Sequence, residues 1–404
     1  MGIHMLEKKV RQSNFELLRV ISVILILMSH CDDFFGFGDV YGATLGVNKL
    51  INDWLHAGGQ IGVGCFVLIS GYFMVQQEFS LKRILKLAGG VWFYTICLWA
   101  AWVALNIFQG EVQIGATLVQ TVYAFFPLLF THYWFATAYT ILMILSPFFN
   151  KLIFSMDRKN YRAFLAILIV LFVVLQGGIP KTLREMSEGR LIPVFIMYFI
   201  AGYLRRFRTE RKHNAARHFS VAAITYILLI ASSYVITWLG VALNNQSILS
   251  LQYFYRVLNS PFVVVISTEL FIGMMETPIK YNKRINEVAA CSFGIYLIHT
   301  NRLMWGYLTM IFSRYKETRP LFVLLYTVIS IAVIYLGCIL VEFVRRKTVE
   351  KLWMAFLDKH LDKIQQKTVL TVKKACRLVQ KGLDVLYGAN KDCLSISEKT
   401  GSPE

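Results

Sequence analysis

Acidic residues are scarce in this chain. Asp and Glu number 24 among 404 residues, against 42 Lys and Arg, and charged residues make up 16% of the total while 56% are hydrophobic. With so little charge and with recurring apolar runs of about 20 residues, the length that matches a bilayer core, the chain is not an ordinary soluble domain; it reads as a polytopic membrane protein. The net charge of +18 does not indicate nucleic acid, because Lys and Arg gather in short clusters between apolar runs rather than along one face. Cysteine is also sparse. Seven occur, at Cys31, Cys65, Cys97, Cys291, Cys338, Cys376 and Cys393, with no C-x-x-C pair and no metal-ligand spacing. That excludes a zinc ribbon or a dithiol redox centre and leaves buried, inert thiols as the reading, with no metal implied. No small-residue A-x-A site follows the first apolar segment, so that segment, preceded by Lys8, Lys9 and Arg11, reads as a retained anchor rather than a removable signal. No internal repeat is visible, which weighs against the transporters built from inverted halves.

What is present is an orderly alternation of apolar and basic stretches. Spans are expected near residues 15–31, 58–75, 89–108, 133–152, 163–178, 191–204, 219–240, 257–275, 289–312 and 321–343. With both termini inside, "LKRILK", "MDRKNYR", "RRFRTERKHNAARH", "KYNKR" and "RRKTVEK" all fall on the cytoplasmic side, as the positive-inside rule requires. Residues 114–133 are long enough to cross, yet they hold Pro127, and a crossing would turn the richest basic loops outward. They are expected to be re-entrant or interfacial on the outer side. The expected fold is therefore an all-α polytopic membrane protein of about ten transmembrane helices. Residues 1–14 form a cytoplasmic segment and 15–343 the helical domain. Residues 344–390 make a basic, amphipathic cytoplasmic helix suited to anionic lipid, and 391–404 a disordered tail.

Charged groups inside apolar runs are the informative exceptions. In "NFELLRVISVILILMSHCDD", residues 14–33, Arg19 and His30 are eleven residues apart. Eleven steps of about 100° return to nearly the same helical face, about 16 Å further along the axis, and Glu16 shares that face. Plainer readings exist: an arginine that snorkels while paired with Glu16, and a histidine that reaches interfacial water. Elsewhere, Gly64, Ser70 and Gly71 bring small residues into the second span, where packing alone would also explain them. His299, Asn301 and Arg302 lie in the ninth span and Glu269 in the eighth, and their cost in hydrocarbon argues for a watery or protein-lined cavity. Arg83 and Lys86 sit one turn apart near the inner end of the third span, where topology alone would account for them. The outer connections, residues 32–57 and 109–133, carry Trp54, His56, Tyr123, His132 and Tyr133, with Trp134 just beyond. These aromatics suit either a headgroup belt or a sugar-binding groove. Asp32 and Asp33 are placed to orient His30 or to meet sugar hydroxyls.

Taken together, these motifs resemble membrane-bound acyltransferase family 3, the ten-helix enzymes that modify bacterial surface polysaccharides. "ELLR" followed by ten residues and His30 resembles that family's R-x10-H signature. "FVLISGYFM" is similar to its S-G-F/Y segment, "YWFATAYTILMILSPFFN" to its W-F…P span and "SFGIYLIH" to its I-Y-L-I-H helix. The resemblance implies transfer of an acyl group, usually acetyl, from cytoplasmic acyl-CoA to a hydroxyl of a surface or lipid-linked glycan, in a bacterial plasma membrane. It makes His30 and Arg19 the catalytic pair. Arg19, Arg83, Lys86, Ser70 and Gly71 would bind the donor, and Asp32, Trp134, Tyr133 and His299 the acceptor. Where the family often has R-x-x-R, this chain has Arg83 and Lys86, a fork replaced by a point charge. No hydrolase domain is appended. A neutral imidazole suits removal of a hydroxyl proton, so His30 is the expected general base, with an acyl-histidine as the other route. A transporter or flippase using Arg19, Glu269, His299 and Arg302 is the competing class, and a scaffold or sensor a third.

Overall fold

The structure, a computed structural model, describes residues 11–110, 114–130, 133–176, 191–208, 214–313 and 319–387, and among these every regular element is a helix. Residues 1–10 and the tail 391–404 lie outside the described residues. Helix α1 (Ser13–Phe35) ends where Gly36 turns left-handed at φ 67°, its N–H returning to the carbonyls of Asp32 and Asp33. A carbon side chain strains at that φ, so glycine there fixes the stop. Helix α2 (Val47–Met74) folds back against α1 and is the most enclosed of the helices long and apolar enough to cross a membrane among the described residues. Their closeness comes from Gly58 and Gly62, a G-x-x-x-G spacing: a methyl at Gly62 would fall 2.4 Å from the Ser22 carbonyl oxygen. The opposite face of α2 uses Gly64 against Ser267 and Met197, and Gly71 against Ala201 and Tyr198.

Helix α3 (Leu81–Gln109) is followed by the twelve-residue α4 (Ile114–Phe125), about 18 Å long and too short to cross. Trp99 reaches Thr121, Thr95 reaches the Ala124 carbonyl and Trp92 the Phe125 carbonyl, so α4 runs antiparallel back along α3. The chain continues through α5 (Trp134–Ser155), α6 (Arg158–Leu168) with a π-helical extension (Ile169–Leu175), α7 (Leu191–Phe207), α8 (Ala215–Ala242) and α9 (Pro261–Glu276). Among the described residues six helices are long and apolar enough to cross a bilayer: α1, α2, α3, α5, α8 and the run that begins at Pro320. Helices α7 and α9, with 17 and 16 residues, reach only about 24–26 Å, short of an average 30 Å core.

Residues 289–312 are not one continuous helix. After α10 (Lys283–Ala289), α11 (Ser292–His299) stops and α12 (Arg302–Phe312) starts anew. Asn301 caps α12 by accepting from the Leu303 N–H at 3.0 Å, and its amide donates to the Tyr133 hydroxyl at 2.9 Å. That hydroxyl donates in turn to the Leu297 carbonyl at 2.8 Å. Broken backbone deep in a membrane protein survives only where protein groups satisfy it, and Tyr133 with Asn301 does this at the break. Finally, α13 (Pro320–Lys347) leads at Thr348 into α14 (Val349–Tyr387). The first turns of α14 are fastened to α3 by Lys86 to Glu350 at 2.8 Å, by Lys82 to Asp358, and by the Trp353 indole donating to the Leu85 carbonyl. Of the cysteines, Cys31, Cys65, Cys291 and Cys338 are buried, whereas Cys97 and Cys376 are exposed, so the reading of inert buried thiols does not extend to those two.

Candidate active site

Because α1 is uninterrupted from Ser13 to Phe35, the helical arithmetic that sets Arg19 and His30 on one face applies along its length. Two cavities meet along that face. The wider, about 300 Å³, lies at the end of the bundle where α1 begins and α13 finishes, and Arg19 and Ser70 are among its lining. The narrower, about 60 Å³, has His30, Gln60 and Trp134 in its wall. Phe66, Phe135 and Phe293 line both and form the partition between them.

The wide cavity is cationic. Arg11, Arg19, Arg83, Lys86, Arg345 and Arg346 line it against the carboxylates of Glu342 and Glu350, six positive charges to two negative. Arg19 pairs with Glu16 at 3.3 Å, the i, i+3 partner, and lies 5.6 Å from the centre of the Phe66 ring. The snorkelling pair and the cavity-lining arginine are thus the same side chain. Its Nε is buried without a hydrogen-bond partner among the described residues, so part of the guanidinium fork remains unsatisfied. Lys86 meets Glu350, while Arg83 bonds Gln77 and the Glu78 carbonyl. Arg345 bridges Glu342 at 2.6 and 2.8 Å and Glu350 at 2.7 Å, and Tyr94 donates to Glu342 at 2.6 Å. Gly294 makes this arrangement possible, since a methyl there would fall 2.2 Å from the Glu342 carboxyl carbon. Arg345 and Arg346 had been absorbed into a topology argument and Glu342 passed over; an acid inside the last apolar run, three residues before an arginine, was the signal for them.

The narrow chamber carries no charged side chain in its lining, and its walls are mainly aromatic and aliphatic. Behind its wall, His30 Nδ1 lies 3.0 Å from His299 Nε2, and His299 Nδ1 lies 2.6 Å from the Ile295 carbonyl oxygen. Trp305 meets the His30 ring edge-on with centroids 5.1 Å apart. His299 is fully buried, with both ring nitrogens taken, so it stands behind His30 instead of facing an acceptor as the sequence had suggested.

Other expected residues are placed elsewhere. Gly71 packs against α7 and does not line either cavity. Tyr133 is committed to the break between α11 and α12. Asp32 turns away from His30 to bond His56 at 3.0 Å. Asp32, Asp33 and His56 bring three ligand atoms within 4.8 Å of one another, the one grouping among the described residues with the spacing to hold a metal ion. His132 lies outside the described residues. Glu269 bonds His218 at 2.6 Å between α8 and α9, and Arg302 sits 5.7 Å from the Tyr123 ring; of Arg19, Glu269, His299 and Arg302, Arg19 alone lines either of the two cavities.

A family model described as an acyltransferase domain matches residues 12–339. No curated protein and no solved structure matches the chain.

Proposed function

The chain belongs to acyltransferase family 3, and from that premise we propose that it is an integral membrane O-acyltransferase of about ten spans. It carries an acyl group, acetyl in the first instance, from cytoplasmic acyl-CoA to a hydroxyl of a cell-surface or lipid-linked polysaccharide. The coarser statement, a membrane acyltransferase, rests on the family match and on six helices apolar and long enough to cross a bilayer. One observation carries the finer reading: a cationic cavity lined by Arg19 abuts an uncharged chamber lined by His30, with three shared phenylalanines between them.

An acyl-CoA combines a polyanionic head group with a long, thin arm ending in a thioester. The wide cavity suits the head group by its excess of cations and by the unsatisfied Arg19 Nε. The rise of about 16 Å from Arg19 to His30 suits the arm. The basic end is then cytoplasmic, in keeping with the positive-inside rule. In the chamber His30 removes the proton of the acceptor hydroxyl as the oxygen attacks the acyl carbon. It returns that proton to the departing thiolate sulfur, which leaves an ester and a free thiol. The phenylalanine partition keeps water from the acyl carbon. Trp134, in the chamber wall, is positioned to stack on an acceptor sugar.

General base catalysis contributes about 10²–10⁴-fold, so His30→Ala should lose at least about a hundredfold in transfer of labelled acetyl from acetyl-CoA to glycan. Purified protein of normal yield with unchanged transfer would overturn the assignment. Labelled succinyl transfer in place of acetyl would keep the mechanism and change the donor.

A further inference from the structure

The imidazole of His30 does not meet its neighbour by chance, because only one arrangement of hydrogens fits the distances. The Ile295 carbonyl can only accept, so His299 Nδ1, 2.6 Å from it, holds a hydrogen and donates. A neutral His299 then carries its lone pair on Nε2, which faces His30 Nδ1 at 3.0 Å. Two lone pairs would repel there, so His30 Nδ1 donates. The neutral His30 ring is left with its lone pair on Nε2, the nitrogen not engaged by His299. We propose that His299 is a positioning residue that locks His30 in the tautomer whose Nε2 is the base. As to catalysis, this rests on the acyltransferase reading above.

The lock has a backbone foundation. His299 ends α11, and the following break at Thr300 and Asn301 is pinned through Asn301 to Tyr133 and from Tyr133 to the Leu297 carbonyl. The turn from Ile295 to His299 is therefore held from both sides, and Trp305 closes the edge of the His30 ring. When His30 Nε2 receives a proton, its Nδ1–H continues to donate to His299, which spreads the positive charge. His299 cannot pass a proton onward, since the Ile295 carbonyl is no base. The proton stays with His30 and is available to the leaving thiolate.

The test has a spectroscopic arm and a kinetic arm. In protein labelled with ¹⁵N in its histidine rings, the pair of resonances lost in His30→Gln should report a protonated Nδ1 and an unprotonated Nε2 in the wild type. That readout needs no turnover, so it separates failure of the lock from failure of the acyltransferase assignment. An Nε2-protonated His30 would overturn the proposal outright. In the kinetic arm, His299→Leu removes the acceptor and should lower kcat roughly 10- to 100-fold with the donor KM unchanged. His299→Gln, which keeps an acceptor oxygen, should recover much of the loss. Equal losses in the leucine and glutamine variants, with the His30 tautomer unaltered, would reduce His299 to a packing residue.

Discussion

The wide cavity and the chamber behind it share a wall of three phenylalanines yet are built from opposite materials. In the first, six cations face two carboxylates and most of the cations already hold an internal partner. In the second, the lining has no charge, and the imidazole of His30 in its wall meets the buried His299 behind it. The difference is one of dielectric economy. Charges gathered at a wet mouth attract and orient an anion, and their mutual pairing prevents repulsion from unfolding the site while it is empty. A base works best where water is scarce and no fixed charge forces it into its protonated form. On the proposed reading, the bundle separates attraction from chemistry by about 16 Å along one helix. Variants of the two regions should differ in kind, with mouth residues acting on donor KM and chamber residues on kcat.

The largest expected effect is on stability. Glu342 is almost fully buried and holds both Arg345 and the Tyr94 hydroxyl. Glu342→Leu leaves a largely buried guanidinium with Glu350 as its remaining carboxylate, and breaking such a pair costs about 3–5 kcal/mol. A clearly lower melting temperature in detergent is expected; an unchanged one would mean that the network is solvated and not structural. Next comes Arg19→Ala. Charge-assisted hydrogen bonds are worth about 1.5–3 kcal/mol, so donor KM should rise about tenfold to a hundredfold, with kcat at saturating donor changed far less than in His30→Ala. A fall in kcat as deep as that of His30→Ala would erase the distinction between the two regions.

The sequence shows the two-region plan unevenly. Arg19 and His30 could be placed together because a single unbroken helix carries both, and helical geometry needs no tertiary information. The pairing of His30 with His299 spans 269 residues, and no local pattern announces it. Asp32 was assigned toward His30 for the same reason: its partner His56 comes from the facing helix, which packs close only because Gly58 and Gly62 allow it. That glycine spacing was readable and was passed over. The break after His299 had a signal as well, since Asn301 is a strong N-cap residue, but a continuous apolar run hid it. Residues 114–133 were expected, on charge grounds, to be re-entrant or interfacial on the outer side, and α4 within them is twelve residues long. Apolar runs gave about ten expected spans; among the described residues six helices meet the length and hydropathy of a crossing, α7 and α9 are shorter than that length, and residues 289–312 are interrupted at Thr300 and Asn301.

The smallest expected effect is the most discriminating about the mouth. The Lys86 side chain is 49% exposed and pairs with Glu350 at 2.8 Å, so the ion pair itself contributes about 0–1 kcal/mol and Lys86→Met should fold normally. If Lys86 also attracts the donor, the variant should raise donor KM about two- to fivefold at low ionic strength, an energy of under about 1 kcal/mol. The difference should vanish near 1 M salt, where screening extends over only about 3 Å. Lys86→Arg restores a planar fork three positions after Arg83, the R-x-x-R spacing, and should lower donor KM below that of the wild type. A KM indifferent to both substitutions at every salt concentration would leave Lys86 as a topological charge that fastens α14 to α3. The attraction would then fall to the other cations of the cavity, among them Arg19, which lies against the Phe66 ring, and Arg345 and Arg346.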